Sequence, residues 1–253
     1  MAPEFILILL IFAIQWLAFI PASYFKTERF YDLVGGLTYT AVILIALLYS
    51  HHGHWRSSLL AFMIIAWSLR LGVFLFLRIR AAGGDSRFEN IKVSPVRFFV
   101  AWTLQGVWIT FTASAAILAI TSKEAAHFGF VSLFGLMLWV AGFAIEVIAD
   151  QQKLHFLKEP DNANQFISTG LWSFCRHPNY TGEIMLWLGI ALIAFPVLDD
   201  WHLLSLLSPV FVALLLIRGS GIPLLERAAE AKWGQTEAYK RYKASTPRLF
   251  PGY

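Results

Sequence analysis

The chain has 253 residues, 58% of them hydrophobic and only 14% charged, with a formal net charge of +4. Soluble domains carry about 25% charged residues, so this composition excludes an ordinary water-soluble enzyme. The single cysteine, Cys175, excludes an internal disulfide, and the positive balance is read as membrane topology rather than nucleic-acid binding.

Seven apolar stretches are long enough to cross a hydrocarbon core of about 30 Å, which takes roughly 20 residues. They run over about 5–22, 31–50, 57–77, 98–120, 128–149, 182–198 and 203–218, the last two being short. The bilayer interior offers no water to backbone groups, so each is expected to be a helix. The expected fold is therefore all-α and integral to the membrane, a single domain over residues 1–253. The first stretch follows only Met1-Ala2-Pro3-Glu4. With no basic n-region, it is read as a retained helix and not a cleaved leader.

Of the 20 lysines and arginines, 17 fall in segments on one side of this arrangement, Arg56 and Lys123 on the other, and Arg70 within a span. The positive-inside rule then places the N-terminus outside and the C-terminus in the cytoplasm. The membrane would be a bacterial inner membrane, or the endoplasmic reticulum in a eukaryote.

Charges inside spans cost at least about 2.5–3.5 kcal/mol at a helix centre and mark function by default. Asp32, Arg70, Glu146, Asp150, Glu183 and Arg218 lie in or at the ends of spans. In the orientation above, all six gather in the cytoplasmic leaflet. They predict a polar cavity open to the cytoplasm, with a polar cofactor at its mouth and a lipophilic substrate deeper in. Arg218 alone is equally well read as snorkelling to the headgroups.

The segment from 146 to 183 carries the chemistry. Glu146, Asp150 and Lys153 share one helix face by their i, i+4, i+7 spacing. Pro160-Asp161-Asn162-Ala163-Asn164 makes a turn. Arg176-His177-Pro178-Asn179-Tyr180-Thr181-Gly182-Glu183 opens the sixth helix. Pro178 suits a first helical turn, where its missing N–H costs nothing. Arg176 and His177 then sit at a helix start, where an anion such as phosphate is favoured. Asn179 and Glu183, four apart, face the same way.

These residues carry a resemblance. Asp150-Gln-Gln-Lys153 followed by Gly-Leu-Trp-Ser-Phe-Cys-Arg-His-Pro-Asn-Tyr-Thr-Gly-Glu resembles the steroid 5-alpha-reductase family, in particular its bacterial branch. The likeness is strongest over about 140–253. It is weaker over 60–97, where Trp67-Ser-Leu-Arg70-Leu and Gly83-Gly84-Asp85 with Arg87 recur, and the first 60 residues match in layout. It implies seven membrane helices around NADPH, and reduction of a carbon–carbon double bond conjugated to a ketone in a steroid-like or other lipophilic substrate. By the resemblance, cofactor contacts fall on Arg70, Asp150, Asn179, Glu183 and Arg218. Lys153, Arg176 and His177 are placed at the phosphates by charge and position, and Tyr180, Tyr239 and Tyr242 are further candidates. The family's catalytic Tyr is Trp67 here, and its paired carboxylate corresponds to Asp32. An indole is a far weaker acid than a phenol, so Tyr31 or Tyr39 stands in as the expected proton donor. Asp32, Trp67 and Tyr31 are thus the candidate catalytic residues.

A second enzyme class shares some of these parts. Isoprenylcysteine carboxyl methyltransferases also carry Arg-His-Pro-x-Tyr, and their tail resembles Leu225-Glu226, Trp233-Gly234, Tyr239, Tyr242 and Pro247. That reading implies S-adenosylmethionine instead of NADPH. A lipid-binding or transport protein is the third reading, though no inverted repeat is visible. The partners expected are the lipophilic substrate and membrane lipids. His51-His52-Gly53-His54 is read as a solvated loop, with no metal expected, and Gly219-Ser-Gly221 as helix packing, since no strand precedes it. The basic tail bearing Tyr239 and Tyr242 lies on the membrane surface or covers the cofactor.

Overall fold

The computed structural model describes residues 3–50, 53–219 and 221–249. His51 and His52 of the histidine cluster and Ser220 of the Gly-Ser-Gly segment lie outside the described residues. All regular structure among the described residues is helical. Among the described residues, seven helices or helical runs are long and apolar enough to span a membrane.

The helices are α1 (Pro3–Tyr24), α2 (Tyr31–Tyr49), α3 (Trp55–Ala82), α4 (Pro95–Thr121), α5 (Phe130–Lys158), α6 (Pro178–Ala194), α7 (Ser208–Arg218), α8 (Ile222–Trp233) and α9 (Glu237–Ser245). Their starts follow local rules. Ser94 caps α4 by accepting from the Arg97 amide, with Pro95 in the first turn. Thr236 does the same for α9 through Tyr239 N. The sixth helix begins at Pro178, four residues before the apolar window expected at 182, because a proline is tolerated in the first turn and not later. The seventh expected span, 203–218, is two pieces: a 3₁₀ segment over Asp200–Leu207, then α7. Pro209, with no N–H to donate, sits in the first turn of α7. α3 and α5 run on to Ala82 and Lys158, past the ends of their apolar windows.

The chain divides into two compact units, Met1–Phe128 with Ile193–Ser208, and Gly129–Leu192 with Pro209–Tyr253. The first contains α1 to α4. Its inner layer is aromatic, with Phe88, Phe98 and Trp102 buried together and Phe19 and Tyr31 packed on them. α1 leaves Phe5, Leu9, Leu17 and Ile20 exposed, an apolar surface suited to lipid rather than water. Polar groups buried in this unit bridge helices. Gln15 Nε2 donates to Thr38 Oγ1 at 2.8 Å, and Gln105 Nε2 to the Tyr31 carbonyl at 3.1 Å. Arg56, counted above as an outside-loop cation, is only 1% exposed in the first turns of α3. Its Nε and Nη2 donate to the carbonyls of Ile193 and Ala126, each at 3.1 Å.

The second unit contains α5, most of α6 and of α7, and α8 and α9. Between α5 and α6 runs a segment of two short 3₁₀ turns, Pro160–Asn162 and Gly170–Ser173. Gly170 takes φ +62° there, a left-handed conformation glycine adopts freely. The turn is held by Gln152, whose Oε1 accepts from Leu171 N at 2.9 Å. Trp172 is pinned by its indole N–H to the Ala149 carbonyl at 3.1 Å and packs with Ala149 and Ile167.

Candidate functional site

The site in the second unit begins with four glycines. A Cβ on Gly142 of α5 would lie 2.6 Å from the Gly182 carbonyl of α6, and one on Gly189 would lie 2.5 Å from the Gly135 carbonyl. Glycines seven residues apart on each helix therefore put the two backbones in direct contact, as small residues do between membrane helices. This seam delivers the polar residues that follow it. Glu146, Asp150 and Glu183 are buried, at 2%, 7% and 9% exposure. Asn179 Nδ2 donates to Asp150 Oδ1 at 3.4 Å. That bond sets the orientation of the amide and leaves Asn179 Oδ1 buried without a hydrogen-bond partner. A buried acceptor of this kind wants a donor.

Beside the seam is a clamp. Arg176 donates from Nε to Glu226 Oε1 at 2.9 Å and from Nη2 to Oε2 at 3.3 Å. Its Nη1 reaches the carbonyls of Lys243 and Thr246 at 2.8 and 2.6 Å. The Arg176 and His177 amides donate to the Pro247 and Arg248 carbonyls. The tail is thus strapped across the start of α6, and the amides expected to face phosphate are turned to it. His177 Nε2 lies 3.0 Å from Glu226 Oε1, and Tyr180 stacks on the ring at 5.8 Å. Burial holds the imidazole below the usual histidine range, against the upward pull of Glu226. Neutral at pH 7, it donates through Nε2, and Nδ1 is a buried acceptor without a partner.

A cavity of about 270 Å³ opens between the end of α5, the 165–177 segment, α8 and α9. Five of the predicted cofactor residues line it: Lys153, Arg176, His177, Tyr239 and Tyr242. The walls are mostly aromatic. Phe166 stacks with Tyr242 at 5.3 Å and meets Tyr239 edge-on at 5.2 Å. Lys153 lies over the Trp172 ring at 4.7 Å and Lys232 over Trp233 at 4.8 Å. Tyr242 donates to the Trp172 carbonyl at 2.6 Å, and Trp233 Nε1 to Asn164 O at 2.7 Å. The tail is therefore a wall of the cavity. Arg218, the last residue of α7, is exposed.

The remaining candidates lie in the first unit. Tyr31 donates its hydroxyl to the Ala101 carbonyl at 2.8 Å and packs against Phe88 and Trp102, so its proton is tied to α4. Asp32, in the first turn of α2, keeps Oδ2 buried without a partner. Trp67 is 3% exposed and meets Tyr39 edge-on at 5.3 Å. Tyr39 in turn bonds Thr112 through its hydroxyl. Arg70 places its guanidinium over Phe74 at 5.5 Å.

Phe166, Trp172, Glu226, Lys232 and Trp233 shape the second-unit site but were not among the predicted site residues. Glu226, Trp172 and Trp233 stand inside motifs quoted above, which was the only available signal. Their partners lie up to 50 residues or more away in the chain.

An uncharacterised protein of the fission yeast Schizosaccharomyces pombe is 24% identical over 226 residues, covering 78% of this chain and 63% of its own length. The chain thus spans under two thirds of that relative. No solved structure matches. A family described as a protein of unknown function (DUF1295) matches residues 18–246. The match takes in every helix but the first part of α1, and the chain, with its seven apolar helical spans, belongs to that family of proteins of unknown function.

Proposed function

We propose that the protein is an NADPH-dependent membrane reductase of a conjugated carbon–carbon double bond in a lipophilic, steroid-like or other enone, substrate. The orientation proposed with it is N-terminus outside and C-terminus cytoplasmic, in a bacterial inner membrane or the endoplasmic reticulum. The observation that carries the reading is the seam pair. Asn179 is held by Asp150 so that a buried amide oxygen lacks a donor, and Asp150, Asn179 and Glu183 stand at the sequence positions the resemblance assigns to the cofactor. A carboxamide N–H supplies the donor that this oxygen lacks, so the residues present fit a nicotinamide.

When bound, the cofactor supplies the hydride. The chain's own tasks are to orient the carboxamide through Asn179 and Glu183 and to keep water out with the glycine seam. Reduction of an enone also requires a hydrogen-bond donor for the charge developing on the ketone oxygen. Asp32 is the residue proposed for that task, donating in its protonated form, and it is alone among the catalytic candidates in having a buried oxygen without a partner. Tyr31 is less suited, because its hydroxyl already serves Ala101.

A second reading, S-adenosylmethionine-dependent methyl transfer, is favoured by one observation: Arg176, His177, Glu226, Tyr239 and Tyr242 line a single cavity. NADPH oxidation in detergent against a panel of enones tests the first reading. Wild type is expected to turn over at least one enone, with Asp32→Ala slowed by about a hundredfold or more, as losing one oriented donor does, and Asn179→Ala slowed by about tenfold through loss of one hydrogen bond that orients the carboxamide. Full activity in both variants would dismantle the assignment.

A further inference from the structure

We infer that the aromatic cavity of the second unit is an adenosine subsite, with the reacting end of the cofactor directed toward the Asp150–Asn179 pair. The inference rests on reading this unit as a nucleotide-cofactor site, and it holds for NADPH and S-adenosylmethionine alike, since both carry adenosine. Size is the first argument. Pockets that enclose a whole drug-sized ligand run to about 300–1,000 Å³, and this one has about 270 Å³. It admits one ring system with its sugar and not a dinucleotide.

The walls select the ring. Phe166, Trp172, Trp233, Tyr239 and Tyr242 all line the cavity. Phe166, Trp233 and Tyr242 are half-buried, so part of each ring remains open to an occupant. Bases stack on such surfaces whatever their sequence. Gln165, also in the wall, donates Nε2 to the Asp161 carbonyl at 2.9 Å. Its Oε1 is left as an acceptor, suited to the exocyclic amine of adenine. Lys153 and Lys232 bring positive charge to the same wall, which favours phosphates beside the sugar.

Chain geometry joins the two halves. Lys153 in the cavity wall is three residues beyond Asp150 on α5, a rise of about 4.5 Å. His177 in the wall is two residues before Asn179. A molecule seated in the cavity therefore reaches the seam by crossing a single helical turn.

Isothermal titration of the full chain in detergent, with adenosine 2′,5′-bisphosphate, NADPH and S-adenosylhomocysteine as probes, tests this. The bisphosphate is expected to bind wild type, to weaken about tenfold in Trp233→Leu, and to be unaffected by Asn179→Ala. Should Trp233→Leu fail to fold, Lys232→Gln, at an exposed position, carries the test and is expected to lower bisphosphate affinity severalfold. NADPH binding without bisphosphate binding, or bisphosphate affinity that follows Asn179 and not Trp233 or Lys232, overturns the subsite. Binding of S-adenosylhomocysteine with Trp233 sensitivity, and no NADPH binding, keeps the subsite and removes the reductase. Absence of binding by all three removes both.

Discussion

The two units bury polar groups in different ways. In the first, several buried or half-buried side chains serve the backbone of another segment: Tyr31 to Ala101, Gln105 to Tyr31, Arg56 to Ile193 and Ala126. Such bonds join helices and leave little for a ligand. In the second, buried polar groups are carboxylates and their partners, arranged around a seam and a cavity: Arg176, His177 and Glu226, then Asp150 and Asn179. Burying charge is justified energetically only where something pairs with it. The contrast teaches that polar residues at membrane depth divide into fasteners and site residues, and that partner identity tells them apart. Gln15, Asp32 and Gln105 of the first unit each keep a buried oxygen that fastens nothing, and Asp32 is the carboxylate among them.

The comparison is broken most severely by removing the hub. Glu226→Ala leaves Arg176, whose side chain is 9% exposed, without its countercharge. Loss of one partner of a buried pair costs about 3–5 kcal/mol. A large fall in melting temperature and release of the tail to limited proteolysis are expected. Wild-type melting behaviour would mean that the tail is held by other means.

Gly182→Ala comes next. Its Cβ would run into the Gly142 carbonyl and lie 2.8 Å from Glu146 N, and neither backbone atom can yield cheaply. Overpacking of this kind costs about 1–3 kcal/mol. Cofactor binding should weaken as well, because the seam positions Asp150 against Asn179. Unchanged affinity in a destabilised variant would separate the seam from the site.

Acid should act on both units with the same sign. Burial alone would raise the Glu28 carboxyl, but Lys92 at 2.8 Å and the Asp85 amide at 3.0 Å outweigh it and hold it below its usual 4.5. Asp85 is likewise held below 3.8 by Arg87, against its own burial. Carboxylates with depressed values stabilise above their unfolded-state values and lose that contribution as pH falls through the folded ones. His177 lies below its usual 6.5. The unfolded chain therefore takes up its proton first, and stability falls as pH drops below that value. Melting temperature should decline as pH falls from 7, first through His177 and then, below 4.5, through Glu28 and Asp85, and Glu28→Gln should flatten that lower part of the curve.

The smallest effect is expected at a fastener. Gln15 Oε1 is buried without a partner, while Thr38, which accepts its amide, also bonds the Val34 carbonyl. Gln15→Leu removes an unsatisfied group along with one hydrogen bond, so the change should stay within about 1 kcal/mol. Loss of activity without loss of stability in this variant would move Gln15 into the site and blur the distinction between the units.

Much of this was legible in the chain itself. Hydropathy alone marks seven spans, and Pro178 marks the start of α6 once its missing N–H is taken seriously. The motif marks Asp150 and Asn179 each as a site residue, but not the hydrogen bond between them, which joins residues 29 apart in the chain. Long-range partners were not legible. Nothing local in Arg56 tells a solvated loop cation from one buried under the carbonyls of Ile193 and Ala126. Arg176 reads equally as a phosphate ligand or as a clamp on Glu226, 50 residues later. Tyr31 reads as a free acid until Ala101, 70 residues on, is placed beside it.

Titration of NADPH and S-adenosylmethionine into detergent-solubilised wild type and Asn179→Ala tests the central claim most directly. Saturable NADPH binding at one site per chain, weakened in Asn179→Ala, is the predicted result. Binding of S-adenosylmethionine with no binding of NADPH would contradict it.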